Sequence, residues 1–346
     1  MSKITEYSIY DKKLWDDIVR SFLDYDVFYL SDYSYAFMRE SPKNGTPILL
    51  YYENGDDRAI NVVLRRDIAL DEKFKGKIEE EQYFDLITPY GYGGFWGKVS
   101  DWKELNSCYM RYCTENHYVC EFVRFELFSD YYAHYDGKVE TRSHNVVRNL
   151  EISIDEMWMD FKSKVRKNVK KANLYNLEII VENTNAHMED FLRIYYSTMN
   201  RADAESEYYF STEFYNNLNK MRDNLMYFYT VYKGKIISTE LVVYGSENCY
   251  SYLGGTDREY FNTRPNDFLK FEIIKWAKRK GLRNFVLGGG YGADDGIFQY
   301  KQYLAPHGVV DFYIGRKIFD KFSYDKLTDL RSGDQLDETY FPLYRS

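Results

Sequence analysis

No run of apolar residues in this chain is long enough to cross a bilayer, and the opening segment MSKITEYSIYDKKLWDD lacks the apolar core of a secretory signal. A cytoplasmic protein that is not membrane-integral is therefore expected. Cysteine is scarce. Cys108, Cys113, Cys120 and Cys249 form neither C-x-x-C pairs nor the framework of a secreted disulfide scaffold, so they read as reduced, buried residues. The 5 histidines are scattered, with no His-Glu-x-x-His and no two at helical ligand spacing, and no metal site is expected. Positive charge is in deficit: the formal net charge is −8, which argues against DNA as a partner and leaves only local basic stretches to hold a phosphate. Proline is rare too, with 6 residues against 37 Tyr and 23 Phe. Such a balance supplies aromatic platforms for sugars or bases; an A+T-rich coding bias produces the same balance.

What is present suits two domains, since 346 residues exceed one ordinary domain. In the first half, Lys13 to Leu23 and Tyr33 to Arg39 have helical periodicity, and Thr46 to Arg66 reads as two strands about the turn ENGDD. The strand YFDLI then leads into TPYGYGG, Thr88 to Gly94, whose glycines bring backbone close either to the chain's own turn or to a substrate. Trp102 to Asn116 reads as a helix, Val119 to Leu127 as a strand, and Asp130 to Arg142 as irregular. The second half opens with the strand VVRNLEISI from Val146. One helix follows, with Trp158, Phe161, Val165, Val169 and Ala172 as its apolar stripe. Its flanks carry Lys162, Lys164, Arg166, Lys167, Lys170 and Lys171 with no acid from Phe161 to Leu177. A charge run is usually a solvated face, but six unpaired cations repel one another and ask for an anion.

After the strand LEIIVE come helices at Asn185 to Asn200 and Thr212 to Arg222. The hairpin MYFYTVY and KIISTELVVYG turns at Lys233 and Gly234. The stretch Tyr250 to Leu304 is the organising segment: strand YSYLGG, a helix opened by Pro265 and stopped by Gly281, strand NFVLGGG, and a short helix around IFQYKQYL. On the long helix, Leu269, Ile273, Trp276 and Ala277 face the sheet, and Lys270, Lys275 and Lys278 are expected to stay wet. Both halves show helices, then antiparallel strands, then a strand, helix, strand ending, which suggests two similar folds in tandem.

TPYGYGG, KVRKNVKKA, YYSTMNRADAESEYYF, the LGGG of Leu287 to Gly290, FQYKQYL and the terminal YFPLYR together resemble the FemABX-type branch of the N-acetyltransferase (GNAT) superfamily. The resemblance covers nearly the whole chain, and the order of the motifs is more specific than any one of them. It implies an α+β fold of two GNAT-like subdomains, residues 1–145 and 146–346, each a mixed sheet flanked by helices, with a cleft between them. It implies an acyltransferase whose co-substrate is acetyl-CoA or aminoacyl-tRNA, with no tightly bound cofactor. The acceptor would be a primary amine of a cell-envelope precursor, an amino sugar or wall peptide, nucleotide-linked forms included. One departure stands out. The GNAT pyrophosphate signature before the main helix is replaced by Asn262, Thr263, Arg264, Pro265, Asn266 and Asp267, which puts coenzyme A in doubt.

Acyl transfer to an amine needs a neutral amine, a polarised carbonyl and a neutralised leaving group, and no covalent nucleophile. The strand Tyr250 to Gly255 offers backbone N–H groups to an oxyanion, and Tyr250 or Tyr252, on one face of it, can protonate the leaving group. Gly254, Gly255, Gly288, Gly289 and Gly290 permit close approach of a donor whose phosphates Arg264 would meet. Lys301, about one turn after Gly296, balances negative charge, unless it is an ordinary surface cation. Arg166, Lys170, Lys171, Arg201 and Tyr90 are candidates for the acceptor and for phosphates. Asp294 and Asp295 could hold an amine or a magnesium-phosphate, although Asp-Asp-Gly is common in turns. Two other classes stay open: a non-catalytic carbohydrate-binding module, and a nucleotide-binding protein using LGGG as a phosphate turn, although no Gly-Lys-Ser/Thr follows it.

Overall fold

The computed structural model describes residues 2–290 and 296–346; the Asp294 and Asp295 pair lies outside them. The chain divides into two units, Met1–Arg142 with Phe312–Ser346, and Ser143–Asp311. In unit 1 the chain forms β1 (Lys3–Ser8), α1 (Lys12–Arg20), α2 (Ser31–Glu40), β2 (Thr46–Asn54), β3 (Asp57–Asp67), β4 (Phe84–Ile87), β5 (Trp96–Lys98), α3 (Trp102–Glu115), β6 (Tyr118–Arg124) and α4 (Tyr131–His134). Strand β7 (Lys138–Asn149) leads into unit 2. There follow α5 (Ile154–Asp160), α6 (Ser163–Asn173), β8 (Glu178–Glu182), α7 (Met188–Ala202), α8 (Thr212–Leu218), β9 (Leu225–Tyr232), β10 (Lys235–Tyr244), β11 (Asn248–Thr256), α9 (Pro265–Arg279), β12 (Asn284–Gly288) and α10 (Gly296–Leu304). Strand β13 (Val309–Ile318) and α11 (Lys321–Asp329) return the chain to unit 1.

A single division after residue 145 is thus corrected, because the segment from Phe312 onward completes the first unit. The reason is pairing and charge: Ile314 to Ile318 of β13 run antiparallel to Cys120 to Arg124 of β6, and Arg345 and Tyr344 bond the wholly buried Asp85 on β4. In unit 1 the strands lie in the order β1-β2-β3-β4-β6-β13, with β5 on β3. The β2–β3 hairpin turns at Gly55, whose φ of 62° suits glycine. Asp101 caps α3 through Lys103 and Glu104 N–H groups, and α3 lays Leu105, Tyr109 and Cys113 against an aromatic core with Phe95, Tyr118, Tyr131 and Phe319.

In unit 2 the order is β7-β12-β11-β10-β9-β8. All neighbours are antiparallel except β11 and β12, which are parallel and joined through α9, a right-sized crossover. Helix α9 buries Leu269, Ile273, Ile274 and Ala277 fully against β9, β10 and β11, the three larger side chains contributing roughly 2 kcal/mol each.

Three local expectations are corrected. Strand β7 begins at Lys138 and ends at Asn149, because Ser153 and Glu156 form a reciprocal capping box that opens α5 where a strand is expected to continue. The single basic helix is two: Phe161, with ψ of 140°, breaks it, and α6 starts at Ser163. Lys270 is not wet. It is 7% exposed and bonded to Glu240, itself 2% exposed, within the sheet–helix layer.

Candidate functional site

Strands β11 and β12 pair over only three positions, Asn248 with Asn284, Cys249 with Phe285 and Tyr250 with Val286. Beyond Tyr250, β11 runs on to Thr256, whereas β12 ends at Gly288. Past Tyr250 and Val286 the two parallel strands no longer pair. On the other edge of β11 the register passes from Val242 opposite Ser251 to Leu241 opposite Leu253, so Tyr252 is an extra residue. Such a bulge interrupts the ladder locally and re-aims the neighbouring side chains.

A polar group occupies the α9 layer behind this parting. The ammonium of Lys270 donates to Glu240 and, at 2.6 Å, to the hydroxyl of Ser251, the residue before the bulge. Asp267, in the first turn of α9 and 7% exposed, accepts at 3.1 Å from Asn168 of α6, while its Oδ1 has no hydrogen-bond partner. Burial lifts the Asp267 pKa to about 6 against the opposing pull of Asn168, Arg264 and Lys164. Tyr300 of α10 also ends in a buried hydroxyl without a partner. Burial, and then the charges of Asp267 and Glu240, push its pKa well above the ordinary phenol value, so it remains a neutral proton donor.

Lys301 follows Tyr300, and its ammonium donates to the carbonyl of Gly289 at 2.5 Å. A Cβ on Gly288, which has φ of 83°, would sit 3.3 Å from the same nitrogen, so Lys301, Gly288 and Gly289 form one group at the end of β12. Gly290 is exposed beside it. Tyr250 is buried in β11, and Tyr252 sits at the bulge with Tyr215 of α8 near enough to interact electrostatically.

Other expected contacts take a different form. The glycines of YSYLGG serve the chain's own packing: a Cβ on Gly255 would lie 2.4 Å from the Thr198 hydroxyl of α7, and one on Gly254 would lie 2.7 Å from the Thr239 carbonyl of β10. Their side-chain space is filled by protein, not left for a donor. Arg201 joins that region, reaching Thr198 at 3.3 Å and the Thr256 carbonyl at 3.4 Å and lying over the Phe261 ring. Arg264 is exposed, at φ of 60°, as the residue before α9. Arg166 is corrected: its guanidinium bonds the carbonyls of Met159, at 2.8 Å, and Phe161, so it caps α5. Lys170 and Lys171 are exposed on α6 and form no ion pair among the described residues. Tyr90 lies in unit 1, 43% exposed, its carbonyl held by the Tyr33 hydroxyl at 2.6 Å.

Glu240, Ser251, Asn168 and Tyr300 are absent from the sequence reading. Glu240 did leave a signal. A carboxylate in the middle of KIISTELVVY, a central strand otherwise apolar or hydroxylic beyond Lys235, requires a buried cation, and Lys270 is its partner.

Residues 159–302 match the family model described as an acetyltransferase (GNAT) domain. No curated protein matches the sequence. Among solved structures the chain is similar to FemX, with 11% identity, a TM-score of 0.67, and coverage of 93% of this chain and 99% of that one. It is also similar to a conserved protein of unknown function from Bacteroides thetaiotaomicron VPI-5482, at 10% identity, TM-score 0.57, and 92% and 100% coverage. A third likeness is to the C-terminal domain of a putative lysylphosphatidylglycerol synthetase from Agrobacterium fabrum, at 11% identity, TM-score 0.51, and 84% and 92% coverage. At these identities the likenesses speak for the fold. Residues 159–302, which hold the parting strands, α9, Tyr300 and Lys301, are thus the part of the chain that matches a GNAT acetyltransferase domain, in a chain whose fold is similar to that of FemX.

Proposed function

We propose that this chain is an N-acyltransferase, moving an acetyl or aminoacyl group from acetyl-CoA or charged tRNA to a primary amine of a cell-envelope precursor, an amino sugar or wall peptide, in the cytoplasm. The observation that carries the reading is the parting of β11 and β12 beside a bulge at Tyr252, with Tyr300 and Lys301 on the helix that follows β12. In the reaction the amine nitrogen bonds the acyl carbon, the bond from that carbon to the donor's sulfur or oxygen breaks, and one amine proton ends on the departing atom. Backbone N–H groups at the bulge suit the developing oxyanion, and a buried neutral tyrosine suits the proton transfer. Lys301 supplies positive charge at the end of β12. Asp267 stands at the start of α9, where the positive helix end would otherwise favour a pyrophosphate, so donor phosphates are better served by Arg264 or by Lys170 and Lys171.

The test is amine acylation followed by mass spectrometry, with acetyl-CoA and charged tRNA offered separately to amino-sugar nucleotides and wall-precursor peptides. Lys301→Met should lower kcat by roughly 10² to 10³ with the near-ultraviolet spectrum unchanged, the range for loss of one charge-stabilising group. Full activity in that variant removes Lys301 from the mechanism. Silence with every donor overturns the enzyme reading.

A further inference from the structure

In unit 1 three neighbouring arginines, Arg66, Arg345 and Arg124, are met by two carboxylates, Asp85 and Asp71. Arg66 at the end of β3 donates to one oxygen of Asp85 at 2.7 Å; Arg345 reaches the other at 2.5 Å and Asp71 at 3.0 Å. The second Asp85 oxygen also accepts from the Tyr344 hydroxyl at 3.0 Å, so this carboxylate is fully committed. Arg124, the last residue of β6, forms no ion pair among the described residues. Its guanidinium donates to the Thr88 carbonyl at 3.1 Å and lies on the Phe122 ring, 5.1 Å from the centroid. Three arginines therefore share two carboxylates, and the one left over is Arg124.

A carbonyl occupies one of the five donors of a guanidinium. The remaining charge is withdrawn from water and repelled by Arg66, and both effects lower the Arg124 pKa, while Tyr90, Tyr340 and Tyr33 oppose them. A desolvated charge of this kind is costly until a counter-ion arrives. The position is not sealed. Arg124 keeps partial exposure, and the two tyrosines that interact with it from the surface, Tyr90 and Tyr340, are 43% and 49% exposed. The loop carrying Tyr90 is set firmly, since Gly91 has φ of 101° and a Cβ there would fall 2.4 Å from the Phe28 ring. The close approach suggested by TPYGYGG is thus to Phe28, and the loop's rigidity presents Tyr90 beside a guanidinium lacking an anion.

We infer that Arg124, flanked by Tyr90 and Tyr340, is a binding site for the carboxylate or phosphate group of a small-molecule ligand. The planar fork, held on Phe122, suits two parallel hydrogen bonds to either anion. This site lies in unit 1 and does not depend on the acyl-transfer reading of residues 159–302.

Isothermal titration of the full chain at low salt with inorganic phosphate, with N-acetylglycine and with neutral N-acetylglycinamide tests it. One saturable site for phosphate or N-acetylglycine is expected, with no binding of the amide, and affinity should fall as salt rises. Preference between the two anions identifies the source of the charge. Arg124→Met should weaken anion binding at least 10-fold, and because it removes an unanswered charge together with one hydrogen bond to the Thr88 carbonyl, its melting temperature should stay close to that of the wild type. Tyr90→Ala, on an exposed side chain, gives a second variant whose fold is not at risk and should weaken the same anion. Failure of both anions to bind the wild type, or equal binding by Arg124→Met, overturns the inference.

Discussion

At the scale of single residues, two buried oxygens without partners distinguish chemistry from packing. The Tyr300 hydroxyl contributes nothing visible to the fold, so Tyr300→Phe should be neutral or slightly stabilising in thermal denaturation. If Tyr300 delivers the proton to the leaving group, the same variant should lose roughly 10² to 10⁴ in kcat. A variant of full stability and full activity would assign the phenol to neither role. Asp267 makes the opposite demand on pH. Its folded pKa of about 6 stands above the ordinary aspartate value of 3.8, so between those values the folded chain holds a proton that the unfolded chain has released. Stability then falls as pH rises through that window, by about 3 kcal/mol in all, and is flat above it. Asp267→Asn should abolish the fall, so its melting temperature should exceed that of the wild type above pH 6 and converge with it near pH 4. Parallel melting curves for the two proteins across that range would mean that Asp267 is better solvated than its burial indicates.

At the scale of elements, periodicity located helices and strands well, and its failures have physical causes. Helix α9 is legible from Pro265 to its lysine-rich end, but periodicity puts Lys270 on the wet flank, because it ranks a lysine by its neighbours and cannot see Glu240 on another strand. The basic segment was legible as charge and not as geometry. Arg166 belongs by spacing with Lys170, yet the break at Phe161 exposes the carbonyl end of α5, and the nearest guanidinium satisfies it. The phosphate-binding reading therefore narrows to Lys170 and Lys171. Reversing both to glutamate should raise the KM of the phosphate-bearing substrate several-fold and flatten its salt dependence, leaving kcat nearly unchanged. Arg166→Met should instead lower the melting temperature. Unchanged kinetics in the double reversal would leave α6 as a solvated face.

At the scale of the molecule, a division into two units is legible in the repeated order of elements, and the return of the chain is not. A sequence gives neighbours along the chain, whereas the partner of β6 is β13, almost two hundred residues later, and nothing local in DFYIGRKI marks the distance. The ends of unit 1 are tied by charge as well as by pairing. Asp85, wholly buried, lies between Arg66 and Arg345, and these arginines hold its carboxyl below the usual range despite the opposing effect of burial. Its contribution to stability is thus present above the unfolded carboxylate pKa and lost as pH falls below it. A chain ending at residue 311 removes β13, α11 and Arg345 together, leaving one edge of β6 without its partner and Asp85 with one arginine. Unit 1 should then fail to fold, with the near-ultraviolet signal of its packed tyrosines lost, whereas a division after residue 145 predicts that the first half folds alone. Arg345→Met in the full chain isolates the electrostatic share: leaving Asp85 with one arginine should cost about 3 to 5 kcal/mol at neutral pH, the range for breaking a buried pair. Below the carboxylate range, where Asp85 takes up a proton, the difference should shrink. A deficit independent of pH would show that Arg345 acts by packing, and that the charge on Asp85 is carried by Arg66 alone.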